Sequence, residues 1–200
     1  MAQAKHGPGV AHSGPRPDEA DLAAARLPSA PWLFGKLPAH GDFLARGLPG
    51  ELRDRLDRWL SAELAGARTR FGEAFEGRYF SAPPWHFVDL DPSGQWTGGA
   101  LCPSVDAVGR KFPILLATPA QSAECALAAA RIAIDLACSA IAQGWQAVRL
   151  HDELGAATVA RATGVDVRPG WAIEADDGTA IAYPGRFPAG LVERMLEIAG

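Results

Sequence analysis

The sequence predicts an α+β domain: a largely antiparallel sheet with helices on both faces, an α/β/α sandwich. Three observations carry the prediction. Short β-type runs arrive as hairpins separated by turn signals, not in strict alternation with helices. One run, ILLA at 114–117, is apolar without interruption, as a strand covered on both faces must be. Long helical patterns stand on either side of these runs in the chain, so each face of the sheet has a candidate cover.

Taken in order, residues 1–30 are rich in Ala, Gly, Pro and Ser with few large apolar side chains. Such a segment buries too little to offset its ordering entropy, which predicts a disordered tail and a single packed domain over 31–200. PWLFG at 31–35 reads as a short strand. The stretch 49–68 reads as a helix: Pro49 suits a first helical position, and Leu52, Leu56, Trp59, Leu60 and Leu64 recur at helical spacing. A second short helix is expected over 69–78. WHFVDL (85–90), QWTGGALCPS (95–104) and KFPILLATP (111–119) read as strands, the first two joined through DPSG as a hairpin. The third belongs in mid-sheet. In the helical stretch 121–144, Leu127, Ile134, Cys138 and Ile141 share one face, with Cys125 and Ile132 opposite, which predicts burial on both sides. Gly144 is its stop. Residues 151–163 read as a short helix, 170–185 as a hairpin about Asp177-Gly178, and 188–200 as a closing helix.

Composition narrows the function. Apolar residues make up 48% and charged residues 21%, with a formal net charge of −4; this is the profile of a soluble globular protein and disfavours nucleic-acid binding. The first residues lack the apolar core of a secretory signal, and no uninterrupted run reaches the ~20 residues of a membrane span. Cys102, Cys125 and Cys138 form no CxxC pair; odd and widely spaced, they fit reduced thiols in the cytoplasm. Six tryptophans suit a core, with one or two at an edge suited to a protein contact.

Polar chemistry concentrates in two loops, GKLPAHGDFLARGLP (35–49) and CPSVDAVGRKFP (102–113). An enzymatic reading takes a small hydrolase or nucleotide-binding site built from 36–42 and 102–111. His40, Asp42 and Ser104 supply the residue types of a nucleophilic triad, but Ser104 lies in CPSVD rather than GxSxG. Lys36 follows a glycine without the GxxxxGK[ST] pattern of a phosphate cradle. His40, Asp42, His86, His151 and Asp152 are scattered pairs without metal-ligand spacing. No catalytic, cofactor or metal set emerges. The alternative is that the loops hold a shape. Each places Pro, Asp and Gly beside a Lys or Arg next to a strand, and an Asp42–Arg110 pair would tie them into one clip or one polar surface.

At these residues a family becomes visible. FGKLPAHGDFLARGLP (34–49), APPWHFVDL (82–90) and GGALCPSVDAVGRKFPILLATP (98–119) closely resemble the TagF/ImpM family of type VI secretion-associated proteins. The pattern G-K-L-P-x-x-G-D-F, a following R-x-L-P and then P-S-V-D-x-V-G-R-x-F-P is present in order, within residues 32–120. The resemblance implies an α/β/α fold and a non-enzymatic cytoplasmic regulator. It implies post-translational repression of secretion-system assembly through a forkhead-associated scaffold protein, without cofactor, metal, nucleic acid or small-molecule substrate. It transfers no catalytic residue. Lys36, His40, Asp42, Arg46, Asp106 and Arg110 are then the candidate partner-binding residues.

Overall fold

A computed structural model of the protein describes residues 22, 24–157, 167–174 and 180–199. In chain order the elements are β1 (Trp32–Gly35), β2 (Leu44–Arg46), α1 (Gly50–Phe71), a 3-10 turn (Gly72–Ala74), α2 (Phe75–Ser81), β3 (Trp85–Leu90), β4 (Trp96–Cys102), β5 (Ile114–Ala120), α3 (Ala123–Gln143), α4 (Ala147–Ala156), β6 (Gly170–Glu174), β7 (Ala180–Tyr183) and α5 (Leu191–Ile198). The strands form one seven-stranded sheet in the order β2-β1-β5-β4-β3-β6-β7. Every pairing is antiparallel. This is the expected α+β sandwich, with β5 inside the sheet between β1 and β4 as its unbroken apolar run requires.

The β3–β4 hairpin closes where DPSG predicts. Asp91 Oδ1 accepts the Ser93 and Gln95 backbone N–H groups at 2.8 and 2.9 Å, an Asx-type turn. β2 is a difference from the sequence reading: three residues of the first polar loop pair with β1 at the sheet edge. The turn residues Asp177 and Gly178, and the far end of the helix expected over 151–163, lie outside the described residues.

The pleat of the sheet divides the core in two. Trp32, Phe34, Trp85, Phe87, Leu101, Leu115 and Trp171 face one side, where α1, α2 and α5 cover them with Leu56, Trp59, Leu60, Tyr79 and Met195. Leu33, Ala100, Cys102, Ile114 and Leu116 face the other, under α3 and α4. Residues within the expected tail join the first layer: Leu22 and Leu27 are buried in it, and the Ala25 carbonyl accepts Arg186 Nη1 at 2.5 Å. The packed domain therefore begins before residue 31. Two leucines in a weakly apolar segment suffice to anchor it, although average composition hides them.

α3 lies on the sheet by a different face from the one expected. Its buried residues are Ala126, Leu127, Ala129, Ala130, Ala133, Ala137 and Ala140, whereas Ile132, Ile134, Leu136 and Ile141 are half-buried and Cys138 is exposed. The reason is proximity. A Cβ at Gly98 of β4 would stand 1.8 Å from the Ala126 carbonyl oxygen, so the helix backbone rests on bare strand backbone there, and alanines make up most of the helix's buried face. Ser122 caps this helix, accepting the Cys125 N–H at 3.3 Å, and Gly144 ends it in the left-handed conformation. α3 also has the length and composition of a membrane-crossing helix; here it packs along β3, β4 and β5 as a core helix.

Candidate functional site

The two polar loops meet at the end of the sheet where β1 leaves and β5 enters. Gly35 ends β1 at φ +132°, where an added Cβ would lie 2.0 Å from the Pro113 carbonyl oxygen. Only glycine lets the first loop start so close to the second. Beyond it, Lys36 turns inward, 6% exposed. Its Nζ donates to Asp106 Oδ2 at 2.8 Å and lies 4.7 Å from the centroid of the Phe43 ring.

Asp106 is the hub. Its side chain is fully buried and accepts four donors: Lys36 Nζ, Arg110 Nε at 2.6 Å, and the backbone N–H groups of Val108 at 3.1 Å and Arg110 at 2.9 Å. Burial alone raises such a carboxyl, but Lys36, Arg110 and the two N–H groups outweigh it and hold Asp106 well below the usual carboxylate range. The same residue closes its own loop. Gly109 N–H donates to the Asp106 carbonyl at 2.9 Å, with Gly109 at φ +82°, and Val105 bridges Lys111.

Three further bonds join the loops to each other and to the scaffold. Ala107 N–H donates to the His40 carbonyl at 2.8 Å. Arg110 Nη2 donates to the Gly41 carbonyl at 2.6 Å. His40 Nε2 accepts the Ala147 N–H at 2.9 Å, which satisfies an open donor at the start of α4. From below, the Tyr79 hydroxyl of α2 donates to the Ser104 carbonyl at 3.0 Å and accepts the Ser104 N–H at 3.2 Å.

The loops are tied together as expected, but by different partners. Arg110 pairs with Asp106, four residues away, and with a carbonyl of the first loop; Asp42 is exposed and makes no pair with it among the described residues. The nearer carboxylate wins because the 106–110 turn sets Asp106 Oδ2 against Arg110 Nε while Oδ1 accepts the Arg110 backbone N–H. Of the six candidates, Lys36 and Asp106 are buried and His40 is half-buried, so they shape the loops from behind. Asp42, Arg46 and Arg110 face solvent, Arg110 with 60% of its side chain exposed. Tyr79, Phe43 and Val108 escape the motif-based reading. Phe43 and Val108 stand inside the quoted motifs as apolar residues among polar ones, which is the signal that marks them.

Exposed apolar side chains gather here. Phe43 is 50% exposed, Val108 73% and Phe80 66%. Phe43 stands edge-on to Phe112, ring centroids 4.7 Å apart, with Phe34 beside both. Phe80 lies under Lys111, whose Nζ is 4.7 Å from the ring centroid and pairs with Glu76. The outcome is a partly apolar surface on the loop pair, with the exposed Arg110 in the same loop as Val108.

The triad residues do not assemble. Ser104 Oγ is buried without a hydrogen-bond partner among the described residues, and His40 Nε2 is occupied by the Ala147 N–H. Among the described residues no group of three His, Cys, Asp or Glu side chains comes together as a metal site.

The crystal structure of PA0076 from Pseudomonas aeruginosa PAO1 has a similar fold, with a TM-score of 0.54, 22% identity, and coverage of 85% of this chain and 76% of that one. Among curated proteins none matches the chain. The family model described as the TagF N-terminal domain, type VI secretion system-associated, matches residues 33–157, which include both loops, the hub Asp106 and the first turn of α4 that His40 holds. The chain belongs to the type VI secretion system-associated TagF N-terminal domain family.

Proposed function

We propose that the chain is a regulator rather than an enzyme: a cytoplasmic repressor that holds back type VI secretion-system assembly by contacting a forkhead-associated scaffold protein. Family membership supplies the secretion system. The contact reading rests on one observation: Phe43, Phe80 and Val108 are exposed around a loop pair that the buried Lys36–Asp106 ion pair makes rigid. Aromatic side chains on a preorganised surface flanked by arginine are what a protein interface uses for its dominant contacts. In this reading Lys36, His40 and Asp106 set the shape, while Asp42, Phe43, Arg46, Val108 and Arg110 meet the partner.

The test is secretion output in a strain lacking the native copy, complemented with wild type or with a Phe43→Ser, Val108→Ser double variant. The variant should fold, because both side chains are half exposed or more, and should fail to repress. Full repression by a folded variant would place the contact surface elsewhere.

A further inference from the structure

On one face the sheet extends past its helical cover. α3 packs along β3, β4 and β5, while the strand order continues beyond β3 through β6 to β7. Alternation along these strands decides which side chains face the α3 layer. Phe87, Trp171 and Ile181 belong to the other layer, so His86, Ala172 and Ala182 face this one. These three stand in a single cross-strand row. They floor a cavity of about 410 Å3. Leu127 and Arg131 of α3 line it, as does the segment 167–169 leading into β6. Val167 of that segment packs against Val88 and Leu127.

The cavity reverses the charge of the chain. The protein carries a formal net charge of −4, yet the described residues lining the cavity include Arg131, Arg168 and His86 and no Asp or Glu. Both arginines are exposed, and His86 is 6% exposed on the floor. Each of the three already engages other groups of the chain, which holds it at the cavity. A guanidinium carries five N–H donors, more than one partner takes up. The rest of the lining is mainly apolar. Planar cationic forks beside apolar walls suit a molecule divided in the same way.

We propose that this cavity binds a small amphipathic anion, a carboxylate or phosphate on an apolar body the size of a ring or a short acyl chain. Arg131 and Arg168 take the anionic head in charge-assisted hydrogen bonds, and the apolar body lies against Leu127 and the alanine floor. The volume suits a whole molecule rather than a bare ion: about 410 Å3 falls within the ~300–1,000 Å3 of small-molecule sites. The cavity lies beyond β3, away from the loop pair at the ends of β1 and β5, so it stands or falls independently of the partner surface.

The test is amide NMR on the full chain, with phenyl phosphate, benzoate, benzyl alcohol and inorganic phosphate as probes. Phenyl phosphate, benzoate or both should give saturable shifts at the amides of His86, Ala172 and Ala182, and none at Phe43 or Val108 in the loop pair. The tighter of the two identifies the head group. Benzyl alcohol and inorganic phosphate should bind about tenfold or more weakly, since each lacks half of the recognised chemistry. Arg131→Gln combined with Arg168→Gln should weaken binding about tenfold or more; both side chains are exposed, so the variant should fold. Ala182→Leu, which keeps both arginines and fills the floor, should weaken binding as much. No saturable shift at these amides, equal binding of benzyl alcohol or of inorganic phosphate, or wild-type affinity in either folded variant would overturn the proposal.

Discussion

Tyr79→Phe removes one oxygen atom and tests how firmly the second loop is held. Tyr79 is 2% exposed, and burial pushes its phenol well above the ordinary value, so it stays protonated at physiological pH. Phenylalanine keeps the packing against Phe75, whose ring lies 5.6 Å away centre to centre. The loss falls on Ser104. Its carbonyl keeps the Phe112 N–H at 3.1 Å, so the acceptor remains partnered. Its N–H, which donated to the hydroxyl at 3.2 Å, is left without that acceptor in a buried site. An orphaned buried donor costs about 1–3 kcal/mol, and the second lost bond adds a fraction of that. For a chain of this size each kcal/mol lowers Tm by about 2–4 °C, so calorimetry should show a fall of about 3–12 °C. Amide exchange should show Ser104 losing protection selectively. A Tm change below about 1 °C, with Ser104 protection intact, would mean that the hydroxyl does not anchor the loop, and the rigidity argued for the site would lose its foundation.

Gly98→Ala should destabilise the fold by about 1–3 kcal/mol or more, because its methyl would meet the backbone carbonyl of Ala126 rather than a movable side chain; denaturant unfolding with an unchanged midpoint would disprove the close helix–strand contact. Ile134→Ala should cost under about 2 kcal/mol, since Ile134 is half-buried at the edge of its layer, and a larger loss would restore the interior position its spacing suggests. The Asp106 carboxyl, held low by Lys36 and Arg110, contributes stability that is fully present above the unfolded value of about 3.9 and is lost only as pH falls below it. Carboxyl NMR should therefore find it still ionised near pH ~3, and an inflection at or above about 4 would refute the hub.

Much of the sheet was legible because its signals are local. DPSG announces the β3–β4 turn, and ILLA announces a covered strand, which the structure places as β5. β2 was not legible: three residues of a polar loop become a strand only because β1 offers an edge to pair with. α3 was recognisable as a helix, but its orientation was not. Spacing favours the large apolar residues as the buried face, whereas the helix meets the strand at Gly98 through a face mostly of alanine, and that choice depends on a strand distant in sequence. At the site, motif composition located both loops and their meeting. It paired Arg110 with Asp42 because a tie between loops was sought. The i,i+4 relation of Asp106 to Arg110 and the inward turn of Lys36 are settled by backbone geometry at Gly35 and Gly109. Tyr79 lies outside the motifs altogether, and nothing in its local sequence points to Ser104.

The central claim is that the clamped loops present a surface to a forkhead-associated scaffold protein, and direct binding tests it most closely. Titration calorimetry of purified scaffold with wild type, Phe43→Ala, Arg110→Ala and a control Leu90→Ala on β3, another exposed apolar residue, separates the surface from general stickiness. The account predicts that Phe43→Ala weakens binding about tenfold or more, as loss of a central aromatic contact does. Arg110→Ala should weaken it as well, and Leu90→Ala should leave it unchanged. Wild-type affinity in both loop variants, each confirmed as folded, would contradict the claim.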